Sequence, residues 1–398
     1  MLPSLSMLDP SMMWTSQPKN AWLENPVLFY GCRKSGTTLL MSLLDGALFG
    51  GEQGLFVYPS EIKLKSLVRR PWRDAQHMVV DYLANSVDPL KASFWLHDAE
   101  STVSSCSEAR RRWFKDRNRT VDPEVVEPFL SRPMRRKIHE ETRIGNLSRA
   151  EGERCVNLPR YLSTMAELVR QPPTELRQLV QRDVHALFEA LNLPSESPTA
   201  WAMKEVGGDP LAVFGLFKSW FPNGKIVVII RDPRWIVRSI LLDRRRRGVA
   251  MSPRDVLSQV VTTMRTTSRY PEVARSHGAH FVSYESLVGG NLEGEIRNIC
   301  AYLKLNFSAS FLRPSTLGQA SVVRTASQST AGVFKNSTRS WTEGLTISEV
   351  LLLQAAFAAY GVFSRSRDGF WPTYRHIIQS IDAFDRQSEF QNASKIAS

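Results

Sequence analysis

The sequence predicts an α/β fold in three layers, a central parallel sheet between helices, with a long helical insertion after the second strand. Short apolar runs alternate with stretches whose apolar residues recur at helical spacing, which is the rhythm of strand, crossover helix, strand. The most apolar run, Ile226-Val227-Val228-Ile229-Ile230, lacks polar alternation, as a strand buried on both faces requires. From about residue 62 to 197 the strand signal gives way to helical patterning.

Residues 1–24 are polar and rich in Met, Ser and Pro and are expected to form a loose arm, the fold starting near Asn25. Val27-Leu28-Phe29-Tyr30 reads as the first strand and ends at Gly31. From Thr37, the spacing of Leu39, Leu40, Leu43 and Leu44 predicts a helix. Leu55-Phe56-Val57-Tyr58, before Pro59, is the second strand, Ala200-Trp201-Ala202-Met203 the third, 226–230 the fourth and Phe281-Val282-Ser283 the fifth. Helices are expected over 210–221, 233–242, 255–276 and 292–302. No Gly/Ser/Pro-rich hinge flanks 62–197, so it reads as an insertion within one domain over 25–375. Residues 376–398 read as a C-terminal helix and polar tail.

With 42% hydrophobic, 10% aromatic and 23% charged residues, the 398-residue chain has a globular composition, which excludes disordered and fibrous classes. No apolar run approaches the roughly 20 residues of a membrane span, and the start lacks the basic and apolar regions of a signal peptide. A cytoplasmic protein is expected. Cys32, Cys106, Cys155 and Cys300 form no CxxC pair, so free thiols and no metal are expected. The net charge of +12 draws anionic ligands, such as nucleotides, charged glycans or nucleic acid. No nucleic-acid motif accompanies the arginine clusters at Arg110-Arg111-Arg112 and Arg244-Arg245-Arg246-Arg247.

Between the first strand and its helix lies Gly31-Cys32-Arg33-Lys34-Ser35-Gly36-Thr37-Thr38-Leu39, where backbone N–H groups and the helix dipole can hold phosphate or sulfate. A Walker A loop would place Lys directly after its second Gly. Here Thr37 holds that position and the lysine, Lys34, lies inside the loop. The fourth strand runs into Arg231-Asp232-Pro233-Arg234, with Ser239 eight positions after Arg231 on the helix that Pro233 opens. Arg offers a bidentate fork to phosphate and Ser adds a hydroxyl donor.

Lys34-Ser35-Gly36-Thr37-Thr38 resembles the 5′-phosphosulfate loop of the sulfotransferase superfamily, a P-loop-like fold, and Arg231 and Ser239 fall on the two positions with which that family binds a 3′-phosphate. The resemblance covers roughly 25–62 and 200–342 and implies 3′-phosphoadenosine 5′-phosphosulfate (PAPS) as co-substrate, held by Arg33, Lys34, Ser35, Gly36, Thr37, Thr38, Arg231 and Ser239. Tyr284, in Val282-Ser283-Tyr284-Glu285-Ser286-Leu287, resembles the family's strand-end tyrosine near the nucleotide. Lys335 and Arg339 resemble the cations of its late phosphate-closing loop.

Sulfuryl transfer builds negative charge on the oxygen leaving with the 5′-phosphate and needs a base on the acceptor hydroxyl or amine. Lys34 is the expected cation. The chain lacks the His-Leu-Pro segment of cytosolic family members, but Glu61, in Tyr58-Pro59-Ser60-Glu61, resembles the glutamate base of tyrosylprotein and bacterial-type enzymes; His97 is second choice. Lys204 resembles a family lysine that stabilises the transferred group, although Glu205-Val206 replaces the usual Thr-Pro or Asp-Pro after it. The sequence does not name the acceptor, and the basic charge of the chain would suit an anionic one. Two alternatives stay open: a P-loop kinase with Asp232 on Mg²⁺, and a non-catalytic binder of acidic polymers through the Arg244 cluster.

Overall fold

The computed structural model describes residues 18–45, 55–62, 171–192, 198–246, 248–320 and 341–364, together with scattered positions between 64 and 168. Five parallel strands form the central sheet: β1 (Pro26–Gly31), β2 (Leu55–Glu61), β3 (Ala200–Val206), β4 (Lys225–Ile230) and β5 (His280–Ser283). Their order is β2-β3-β1-β4-β5, so β1 is central and its two neighbours come from far along the chain.

The strands alternate between two cores, and most of their residues are buried. Leu28, Tyr30, Phe56, Trp201, Met203, Ile226 and Val228 face one layer, where they meet α2 (Leu176–Glu189) and α3 (Pro210–Trp220) through residues such as Leu187, Phe214 and Phe217. Val27, Phe29, Val57, Ala202, Val227, Ile229 and Val282 face the other. There α1 (Thr37–Leu44) presents Leu39, Leu40 and Leu43, and a later helix presents Ile296 and Ile299. This period-two division on an all-apolar strand is what a sheet between two helical layers requires.

After β4 come α4 (Pro233–Arg246), α5 (Pro253–Thr267) and α6 (Tyr270–His277). The single helix expected over 255–276 is thus two. Pro271 has no N–H to donate to the carbonyl of Thr267, so α5 does not continue through it and the chain restarts as a helix with Pro271 in its first turn. At its other end α5 begins two residues before Asp255, because Ser252 and Asp255 form a reciprocal capping box.

After β5 follow α7 (Tyr284–Val288), α8 (Leu292–Leu303) and α9 (Ile347–Ser364), a helix the sequence reading did not single out. Leu353 of α9 packs in a third core with Val237 and Leu241 of α4 and Val256, Val260 and Met264 of α5.

Packing begins before Asn25. Residues Pro18–Glu24 form a 3-10 turn in which Trp22 is buried against Phe56 and Phe188, and the Leu23 carbonyl accepts from Trp201 Nε1 at 3.0 Å. His97, Arg110-Arg111-Arg112, the rest of the arm and residues 365–398 lie outside the described residues.

Candidate functional site

All five strands end at one edge of the sheet, and β1 lies where the connections diverge, β3 on one side and β4 on the other. In parallel α/β sheets that switch point is where ligands settle. The loop after β1 turns back through Ser35 N donating to the Cys32 carbonyl at 3.0 Å. Lys34 takes a left-handed φ of 66°. Gly36, at φ 108°, is the N-cap of α1 and offers no side chain to the N–H groups of the helix's first turn. A Cβ at Gly36 would run into the ring of Tyr284, so glycine is required there by backbone and by contact. Ser35 is 1% exposed, and its hydroxyl has no hydrogen-bond partner among the described residues. An unsatisfied buried hydroxyl in a loop of aligned N–H groups fits an anion site.

The segment after β4 closes on this loop. Arg231 Nη1 donates to the Lys34 carbonyl at 2.8 Å, and the guanidinium stacks on Tyr284, 4.1 Å from the ring centroid. Its Nε is buried and has no partner among the described residues. Glu285 lies partly buried within reach of its charge. One carboxylate oxygen accepts from Asp232 N at 3.1 Å, and burial pushes this carboxyl up, opposed first by the charge of Arg231. Ser239, 9% exposed, follows on α4.

Asp232 is buried and gripped by Arg234: Nε lies 3.1 and 2.9 Å from its two oxygens, and Nη2 2.6 Å from Oδ2. That carboxylate is therefore engaged with a guanidinium and is not presented to a metal as a Walker B aspartate would be. Among the described residues no cluster of His, Cys, Asp or Glu could hold a metal ion.

Glu61 ends β2 through a register shift between Val57 and Glu61, which places it opposite Lys204 of β3. Pro59 is tolerated inside this strand because β2 is at the sheet's edge. Lys204 Nζ in turn lies 3.4 Å from Thr38 Oγ1, so the strand pairing of Glu61 with Lys204 and this contact lead from the end of β2 to the first turn of α1. Lys335 and Arg339 lie outside the described residues.

Two features were missed by sequence reading. Asp243 on α4 pairs with the loop's cations, its Oδ2 3.3 Å from Lys34 Nζ and 3.8 Å from Arg33 Nη2. Its position four residues after Ser239 could have signalled it, since both lie on one helix face. The other is Asp183 of α2, fully buried, whose carboxylate accepts from the hydroxyls of Tyr58 at 2.9 Å, Tyr161 at 2.7 Å and Tyr82. It ties the strand carrying Glu61 to the segment between β2 and β3. No pattern in the sequence marks it.

Cys32, inside the loop, is structural. Burial pushes its thiol up to about 11, and its sulfur sits 3.4 Å from the Tyr270 hydroxyl. Among the described residues no helix is long and apolar enough to cross a membrane.

No curated protein matches the chain. Among solved structures it is similar to the sulfotransferase domain of the curacin biosynthetic pathway, at 14% identity over 77% of this chain and 84% of that one, with a TM-score of 0.38. It is also similar to the sulfotransferase domain of the Synechococcus PCC 7002 olefin synthase, at 14% identity over 84% and 94% of the two chains and a TM-score of 0.37. A third is sulfotransferase STF9 from Mycobacterium avium, at 14% over 87% and 77%, TM-score 0.37. The model of the sulfotransferase family matches residues 26–309, from the first strand to beyond α8, and the chain belongs to that family.

Proposed function

We propose that the protein transfers a sulfuryl group from PAPS to a hydroxyl or amine of its acceptor. The observation that carries this reading is the convergence of Arg231 and Tyr284 on the loop of Lys34 and Gly36, which brings two anion-binding elements to one sheet edge. Ser35 and Arg231 each keep a buried polar atom without a partner among the described residues, as residues that complete their hydrogen bonds on a ligand would. In this reading the N–H groups of residues 35–38 and the Lys34 ammonium hold the 5′-phosphosulfate, while Arg231 and Ser239 hold the 3′-phosphate. When bound, PAPS supplies the activated sulfuryl group.

Glu61 is the base that takes the acceptor's proton, and Lys204, between Glu61 and Thr38, offsets the charge that develops beside it. Lys335 and Arg339, which lie outside the described residues, are the further candidate cations for the phosphates. The engagement of Asp232 by Arg234 weighs against a Mg²⁺-dependent kinase.

Calorimetric titration with adenosine 3′,5′-bisphosphate, and separately with ATP and Mg²⁺, tests the assignment. Tight, metal-independent binding of the bisphosphate is expected; preference for ATP would overturn the reading.

A further inference from the structure

The partner of Lys34 is a carboxylate that an anion site does not need. Asp243 lies one helical turn beyond Ser239 on the same face of α4, and its side chain is only 10% exposed. It reaches both loop cations, at 3.3 Å from Lys34 and 3.8 Å from Arg33. Lys34 is thus bracketed by one segment: Arg231, just before α4, holds its carbonyl and Asp243, in the third turn, holds its ammonium. A fixed negative charge here competes with any bound anion for the ammonium. Affinity alone would be better served by a neutral side chain.

We propose that Asp243 is a release residue, which shares Lys34 with the 5′-phosphate of the nucleotide and keeps the product loosely enough held to leave. Asp243 does not touch the reacting atoms; it acts through Lys34. The inference rests on the loop being the 5′-phosphate site, as assigned above. Removing its charge tightens product binding, lowers the product's inhibition constant and shifts the slow step of turnover toward release.

The test compares wild type, Asp243→Asn, Lys34→Ala and the double variant by calorimetry, with adenosine 3′,5′-bisphosphate and, separately, inorganic pyrophosphate. Asp243→Asn is expected to bind both about tenfold more tightly, or about 1.4 kcal/mol, and the gain should vanish in the Lys34→Ala background. Asp243→Ser, which removes the charge without adding volume, serves if the Asn variant does not fold. Unchanged or weaker binding of both ligands by a folded variant, or a gain that survives loss of Lys34, overturns the proposal. If the bisphosphate fails to bind any variant while pyrophosphate shows the gain, the nucleotide assignment falls and the role of Asp243 stands. Bisphosphate binding by wild type with no gain in the variant removes only the release role.

Discussion

Arg231 donates to the main-chain carbonyl of Lys34 at 2.8 Å, so the segment after β4 is fastened to the loop after β1 at its left-handed residue. The contact uses one guanidinium nitrogen and leaves Nε without a partner among the described residues. Arg231→Ala should therefore lose both a phosphate ligand and a loop brace. We expect bisphosphate affinity to drop by about 100-fold, in line with ~2–3 kcal/mol for a charge-assisted contact, and Ser239→Ala to cost about 10-fold. Titration calorimetry of the two variants checks both values.

Glu61 and Lys204 stand opposite each other across β2 and β3. Glu61→Gln keeps the shape and removes the proposed base, so turnover should fall by roughly 100-fold or more while bisphosphate binding stays within about twofold of wild type. Full turnover in this variant would refute the assignment.

At Gly36 a side chain meets both a left-handed backbone and the ring of Tyr284. Gly36→Ala should lower stability by ~2–4 kcal/mol. Tyr284→Ala in the same chain should restore part of it, since the ring clash is relieved and the backbone strain stays. Urea unfolding of the single and double variants measures the difference.

Asp45, at the end of α1, is buried and accepts from Ser315 Oγ at 2.8 Å, Leu317 N at 3.0 Å and Gly318 N at 2.9 Å. Burial dominates and pushes its carboxyl up to about 6 from the usual 3.8. The folded state then holds the proton more tightly than the unfolded chain. The stability this gives is fully present below about pH 4 and is lost as pH rises through 6, a change of up to ~3 kcal/mol. Asp45→Asn should flatten the slope of unfolding free energy between those values, measured by denaturant titration across the pH range.

The sheet was legible because its strands are short, apolar and separated by helical periodicity, and the turn after β1 because Gly36 and the threonines follow a strand directly. Arg231 was legible for the same reason: a buried run ends and a charged group follows. What escaped depended on distance along the chain. Asp183 and Tyr58 are 125 residues apart, and no local pattern announces that a helix inside the long segment will carry the acceptor for three tyrosine hydroxyls. Asp243 looked like one more charge before an arginine run, and only the packing of α4 against the loop gives it a partner. The break between α5 and α6 could have been read from Pro271, since proline's effect four residues back is local chemistry.

The strand order also bears on how the chain is made. β1 is made before the two strands that flank it, Ala200–Val206 and Lys225–Ile230, which emerge more than a hundred residues later. Until then Val27, Leu28, Phe29 and Tyr30 have no neighbour for their ladder and no second layer to cover them. At roughly 5–20 residues per second of translation, this apolar segment waits on the order of ten seconds or more outside the ribosome before its pairing partners exist. The central strand of the finished sheet is therefore paired on both sides only once Lys225–Ile230 has been made, and the loop that follows it gains its brace from Arg231 only after that.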